Sequence, residues 1–389
     1  MMHALVTAAG VLLCALTLPL ALELFFTTAA ALVFRKEDDL ATSSLRLTVI
    51  IAAHNEEKLI GRTIASIQAA NASRIHVIAH NCTDATARIA REAGAAVSEL
   101  TGPSGKGHAL LHAFTNLRAN SDAFLILDAD TTVATDLIDR VSRALTVENA
   151  VQCRYEAAAS PGPRAQLAAL AFRAINVVRP RGREQLGLSC GILGNGFALR
   201  ATVLDRVPYS AHSIVEDIEF HIALVRAGIR VRYLDRAHLY GEIAGSRSQH
   251  ARWEGGRLRL ARQKLPRLLL LILRGHLRLI EPALDLTTLP IAQAVILLLL
   301  TCVMPLPLLH IYAVCVLAVI ALHIAVATAL APNPAATCGA LLFAPIYIVR
   351  KLLGTRATLR SSKHDADWAR AEREDPPRAE RDTHPGDKT

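Results

Sequence analysis

The sequence predicts an α/β fold, a mostly parallel sheet with covering helices, set between segments apolar enough to cross a membrane. Three observations carry this. From Leu47 onward, short β-branched runs alternate with stretches of helical spacing. Each apolar run empties into a polar loop. Hydrophobic residues make up 52% of the 389, with a mean hydropathy of +0.31, and the excess gathers near the two ends.

The first stretch, Ala4 to Phe34, holds one acid, Glu23, and no Lys or Arg. At about 1.5 Å per residue, roughly 20 apolar residues cross a bilayer, so it is long enough to span. It has no basic start, its apolar run is long, and no small-residue cleavage site closes it. Residues 1–34 therefore read as a membrane segment rather than a cleaved signal peptide. Arg35 and Lys36 follow it. The excess of positive charge on the inner side then puts the N-terminus outside and the next domain in the cytoplasm.

Residues 45–252 read as that water-facing domain. "LTVIIAAHNEE" is a buried strand feeding a loop. "EKLIGRTIASIQAA" has helical spacing at Leu59, Ile60, Thr63, Ile64 and Ile67. "RIHVIAHNCTD" is a second strand and loop, and "ATARIAREAGA" is a helix that stops at Gly94. "AFLILDAD" is another strand. In such sheets ligands bind beyond the carboxyl ends of the strands. "AHNEE", "AHNCTD" and "DAD" all fall there. The familiar nucleotide motifs fail: no G-x-G-x-x-G follows the first strand, and "GPSGKGHAL" lacks the first glycine and the Ser or Thr of a P-loop.

Three short patterns carry candidate chemistry. Strand alternation would put Asp128 and Asp130 on one side, where two carboxylates repel unless a cation or proton intervenes. A hard ion, Mg²⁺ or Mn²⁺, held with substrate phosphates fits them, and so does an ordinary solvated turn. Glu216 and Asp217 open a helical pattern. They read either as acids favoured by the helix dipole or as a general base that takes a proton from an attacking hydroxyl. Gln249, Arg252 and Trp253 stand as Q-x-x-R-W. An arginine there can grip a diphosphate and a tryptophan can stack on a sugar, or the pair can anchor at the membrane interface.

Residues 253–282 mix Arg with Leu and read as interfacial helices. In 283–353 two spans are expected, about Leu284 to Leu306 and Leu308 to Leu330, with a shorter apolar piece from Gly339 to Val349. Three or four spans in all remain open. Residues 354–389 read as a charged, partly disordered cytoplasmic tail. Much of the +9 net charge lies between Arg252 and Arg278, which favours an anionic leaflet over nucleic acid. The seven cysteines are scattered without metal-ligand spacing and read as reduced thiols.

"VIIAAHNEE", "HNCTDATA", "GKGHAL", "DAD", "GNGFALR", "VEDIEF" and "QHARW" occur in the order found in membrane-embedded family-two inverting glycosyltransferases, which the chain resembles over about Leu47 to Arg257. Cellulose, hyaluronan and N-acetylglucosamine-polymer synthases belong to that family. The resemblance implies a GT-A fold and inverting hexosyl or N-acetylhexosaminyl transfer from a nucleotide sugar, usually UDP-linked. Ala53, His54, Glu56, His80, Asp84, Lys106 and Asp128 would face the sugar donor. Asp128 and Asp130 would hold its diphosphate through Mg²⁺ or Mn²⁺. Asp217 would be the base, and Glu216, Gln249, Arg252 and Trp253 would line the diphosphate and the acceptor. The tail "WARAER" (Trp368, Arg370, Arg373) resembles the family's W-x-R-T-x-R ending, with Ala371 in place of the threonine. His80 stands where the family has an acid that contacts the nucleotide, and Ala52 replaces a common proline. The acceptor would be a growing glycan exported at the cell membrane, with or without an export partner protein. The alternatives are a membrane lipid that receives one sugar and, more remotely, an inactive membrane scaffold.

Overall fold

The computed structural model describes residues 2–35, 43–158, 160–210, 213–242 and 247–353, of which 2–5, 247–252 and 350–353 are described by backbone alone. The expected tail, 354–389, lies outside the described residues, as do the side chains of Gln249 and Arg252. The chain begins with α1 (Met2–Leu32). Strands β1 (Leu47–Ala53), β2 (Ile75–His80), β3 (Ala96–Leu100) and β4 (Ala123–Asp128) follow, separated by α2 (Ile60–Ala69), α3 (Thr86–Glu92) and α4 (Lys106–Leu117). Then come β5 (Thr132–Val133), α5 (Leu137–Val147), β6 (Ala150–Ala157), α6 (Pro163–Arg173), a π-turn (Ala174–Val178) and α7 (Arg179–Gln185). β7 (Phe197–Arg200), α8 (Val203–Arg206), α9 (Glu216–Arg226) and β8 (Val231–Gly241) complete the sheet domain. The remaining helices are α10 (Arg247–Leu273), α11 (Ile280–Thr287), α12 (Ile291–Cys302), α13 (Pro307–Ala329), α14 (Pro334–Ala340) and α15 (Ala344–Leu353).

The strand order is β3-β2-β1-β4-β7-β6-β8-β5. β1 pairs in parallel with β2 and β4, and β2 with β3, so all four end on one edge. β7 runs antiparallel between β4 and β6. This is the mostly parallel sheet that the alternating pattern predicts, in the GT-A-like arrangement that the resemblance implies. Every residue of β1 is buried, as expected for a strand covered on both faces. Helix α2 buries Ile60, Thr63, Ile64 and Ile67, four of the positions its spacing singles out.

Two helices, Val6–Leu32 and Pro307–Ala329, are long and apolar enough to cross a membrane. The expected straight span from Leu284 to Leu306 is broken. The segments Leu277–Thr287 and Ile291–Cys302 meet at 83°. The cause is local: Thr288 is extended at ψ 131° and Pro290 at ψ 138°. A proline also disfavours helix in the residue before it. Alone, α12 reaches only about 18 Å, short of the roughly 30 Å of a bilayer core. Among the described residues the count is therefore two candidate spans, or three if the bent pair acts as one. These helices suit a membrane-associated chain by length and composition.

Candidate active site

β1 and β2 both end in Ala-His-Asn, and both turn on the asparagine. Asn55 has φ 55° and Asn81 φ 51°, the left-handed region that asparagine tolerates better than most residues. Asn55 Oδ1 accepts from the Thr83 amide at 2.8 Å, and His54 Nδ1 meets the His80 carbonyl at 2.9 Å. The two loops are thereby stitched side by side. Glu56 and Glu57 take part through their amides, which donate to Thr86 Oγ1 (2.7 Å) and to Asp84 Oδ2 (3.2 Å). Asp84 also accepts from the Thr86 amide at 3.0 Å, so its carboxylate shapes the loop. His80 is 0% exposed. With His108 and His112 it lines a cavity of about 260 Å³ between the β3 end and α4. Burial lowers its pKa, against a smaller pull upward from the Gly105 backbone.

The third loop differs from expectation in one respect. β4 stops at Asp128, and Asp130 lies in a turn that the Thr131 amide closes onto the Asp128 carbonyl at 3.2 Å. Strand alternation therefore does not place the two acids together; the turn does. Both carboxylates bear on the half-buried Tyr155, whose hydroxyl they push upward in pKa after burial itself.

Asn195, 1% exposed, fixes that turn at both ends. Its Oδ1 accepts from the Asp128 amide at 3.1 Å, and its Nδ2 donates to Thr131 Oγ1 at 2.8 Å. Gln152 Nε2 holds the Asn195 carbonyl at 2.8 Å. Gly194 and Gly196 flank it at φ 76° and 73°, where a Cβ would be strained. Asn195, Gln152 and Tyr155 are absent from the sequence reading of the site. "GNG" was the available signal, and only the fold reveals what it holds.

Lys106 opens α4 and is half-buried. Its ammonium bonds the Asp128 carboxylate and donates to the Gly194 carbonyl at 2.5 Å. On the opposite wall, Glu216 and Asp217 begin α9. A Cβ on Gly194 would lie 3.2 Å from Asp217 Oδ2, so that carboxylate touches the same loop. The Ile218 amide donates to Asp217 Oδ1 at 2.9 Å. Burial raises the pKa of both acids above the usual carboxylate range. Glu216 is raised further by Asp217, while Lys106 pulls both down. Trp253 of α10 is 48% exposed. Asp128, Lys106, Glu216 and Asp217 thus share one electrostatic site at the carboxyl edge of the sheet.

A mostly parallel sheet with an acid turn, a lysine and an acid pair at its carboxyl edge is a GT-A-like arrangement. Residues 45–256 match the family described as "Glycosyltransferase like family 2", and the chain belongs to it. It is similar to 4,4'-diaponeurosporenoate glycosyltransferase of Staphylococcus aureus (strain N315), at 38% identity over 113 residues. That match covers 26% of this chain and 30% of the relative. Among solved structures it resembles a mannosyltransferase of Pyrobaculum calidifontis in complex with GDP-Man and Mn²⁺. The identity is 18%, the match covers 92% of this chain and 97% of that one, and the TM-score is 0.49. It also resembles glucosyl-3-phosphoglycerate synthase of Mycobacterium tuberculosis in complex with Mn²⁺ and UDP. There the identity is 20%, the coverage 51% and 72%, and the TM-score 0.37.

Proposed function

We propose that the protein transfers one sugar from a nucleotide sugar to a lipid acceptor at the cytoplasmic face of the cell membrane, with inversion. The observation that carries this is the position of α9. Its first turn supplies the acid pair, and its flank packs on α10 and α11, the helices beside the candidate spans. The acceptor hydroxyl is therefore met at the bilayer surface. Two or three candidate spans make a thin channel for polymer export, which favours a lipid acceptor over a growing glycan. The S. aureus relative's name, a glycosyltransferase for a carotenoid acid, agrees with an apolar acceptor.

Asp217 is the base that takes the proton from the acceptor hydroxyl as it attacks the anomeric carbon. Glu216 and Asp217 titrate as a coupled pair that burial raises together. Lys106 meets the developing diphosphate charge, together with Arg252 and Gln249. Trp253 stacks on the sugar or acceptor. Ala53, His54, Glu56, Asp84 and His80 build the nucleotide side, with His80 acting from beneath the loop rather than from its surface. The Asp128–Asp130 turn fits Mg²⁺ or Mn²⁺. Both acids offer hard oxygen ligands, and Asp128 already draws the Lys106 ammonium, a cation at the same oxygen. When bound, the metal supplies Lewis-acid help to the departing diphosphate.

The test is purified protein in lipid vesicles with a panel of UDP- and GDP-hexoses, with and without Mn²⁺. Nucleotide release names the sugar donor, and sizing the product distinguishes the two acceptors. A glycolipid bearing one sugar is expected, and its formation should stop on chelation. A long polymer would overturn the lipid reading.

A further inference from the structure

A second charged cluster lies apart from Asp128. Glu23 of α1 is 3% exposed, yet Arg179 donates to it at 3.0 Å through Nε, and Arg183 bonds the same oxygen. Arg183 also reaches Asp285 Oδ1 at 2.7 Å and Glu281 Oε1 at 2.9 Å, both on α11. Arg179 bonds Asp285 at 2.6 Å. From the other side comes His221 of α9, 1% exposed. Its Nε2 is 3.7 Å from Glu281 Oε2 and 2.9 Å from Ser189 Oγ. His221, Glu281 and Asp285 are close enough to hold a metal ion. Arg183 already bonds both carboxylates, so its guanidinium supplies the positive charge there.

The cluster touches both walls of the active site. Asp217 and His221 are four residues apart and share one face of α9. Ser189 begins the segment that runs to Gly194, the residue against which Asp217 rests. The rest of α9 is held between two apolar layers. Phe220 and Leu224 enter the sheet core, while Ile222 and Val225 pack with Leu260 and Leu286 of the membrane-side helices. A buried ion pair adds little net stability against an apolar replacement, but removing one partner leaves the other charge buried and uncompensated, so the cluster is sensitive to the loss of any member.

We infer that Arg183 and Glu281 are positioning residues for the transfer: through His221 and Ser189 they fix the acid pair and the Gly194 loop relative to membrane helix α1. The inference rests on Asp217 acting as the base. Its test uses the full-length protein in phosphatidylglycerol–phosphatidylethanolamine vesicles, with the nucleotide hexose that the panel selects. Glu281→Gln keeps the shape and one bond to Arg183. Ser189→Ala lies outside the ion cluster and guards against a folding failure of the first variant. Each is expected to lower kcat at least fivefold with the KM for the nucleotide sugar within twofold and the melting temperature unchanged. Arg183→Lys, which keeps the charge, should retain more of kcat than Arg183→Gln. Wild-type kcat in Glu281→Gln and Ser189→Ala, with Asp217→Asn inactive, overturns the positioning inference alone. Full turnover by Asp217→Asn overturns the base assignment and the inference with it.

Discussion

At the residue scale the site is a balance of charge around Gly194. Lys106 and Asp128 compensate each other, and Glu216 and Asp217 face them from α9. The acid pair sets a pH dependence whose sign follows from the direction of its shifts. A base acts when deprotonated. Burial raises both carboxyls above the free value of about 4. Activity should therefore be lost as pH falls through that raised value, at a higher pH than for a free carboxylate. A pH–rate profile of kcat measures this, and an acid limb centred near pH 4 or below would contradict it. The acids of the Asp128 turn and of α9 stand out in the sequence as ionisable residues in polar stretches, whereas Lys106, His54 and His80 are singled out only through the resemblance. Asn195 does not stand out, because its role is to hold the Asp128 turn by two hydrogen bonds across 67 and 64 residues of chain. Local pattern does not encode such a contact.

At the element scale, legibility followed periodicity. The fully buried β1 and the four-position stripe of α2 are local patterns, and both appear in the fold as read. The break between α11 and α12 also had a local sign, Pro290, but uniform apolarity concealed it within a span of sufficient length. The contact between α7 and α1 had no sign at all. Gly182 sits where any side chain would run into the backbone of Thr27, so the two helices meet backbone to backbone. That approach brings Arg179 and Arg183 within reach of Glu23. Gly182→Ala forces the helices apart, and overpacking of this kind costs about 1–3 kcal/mol. Thermal unfolding in detergent should show the loss, and a melting temperature equal to that of the native protein would refute the close approach. His323 of α13 secures the same junction from the side. It bonds Thr28 Oγ1 at 2.7 Å and the Ala174 carbonyl of the π-turn at 2.9 Å, so one ring links α1 to the turn.

At the scale of the whole molecule, buried ions as well as apolar packing join the sheet domain to the apolar helices. Buried Arg173 and Arg154 meet Glu156 of β6, and Arg181 meets Asp235 of β8, which ties α6 and α7 to the far side of the sheet. The Glu23 cluster ties α7 to α1. Composition separates apolar ends from a polar middle but does not show this joint, since paired charges look like solvated surface until the fold brings them together. One consequence concerns α10 and the segment after it. Arg262, Arg267, Arg274 and Arg278 are exposed there beside exposed Leu269, Leu270, Leu273 and Leu277. Leucine and arginine exposed together suit a surface lying in the headgroup layer, where each basic residue gains about 1 kcal/mol from anionic lipid. Since α10 packs on α9, lipid charge should reach the acid pair through this contact. Turnover is expected to be several-fold higher in vesicles with phosphatidylglycerol than in pure phosphatidylcholine. Screening acts within about 10 Å at 0.1 M salt and more steeply above it. High salt should therefore remove the gain while leaving the basal rate in phosphatidylcholine in place. Equal turnover in the two lipids at low salt would show that α10 does not read the charge of the membrane.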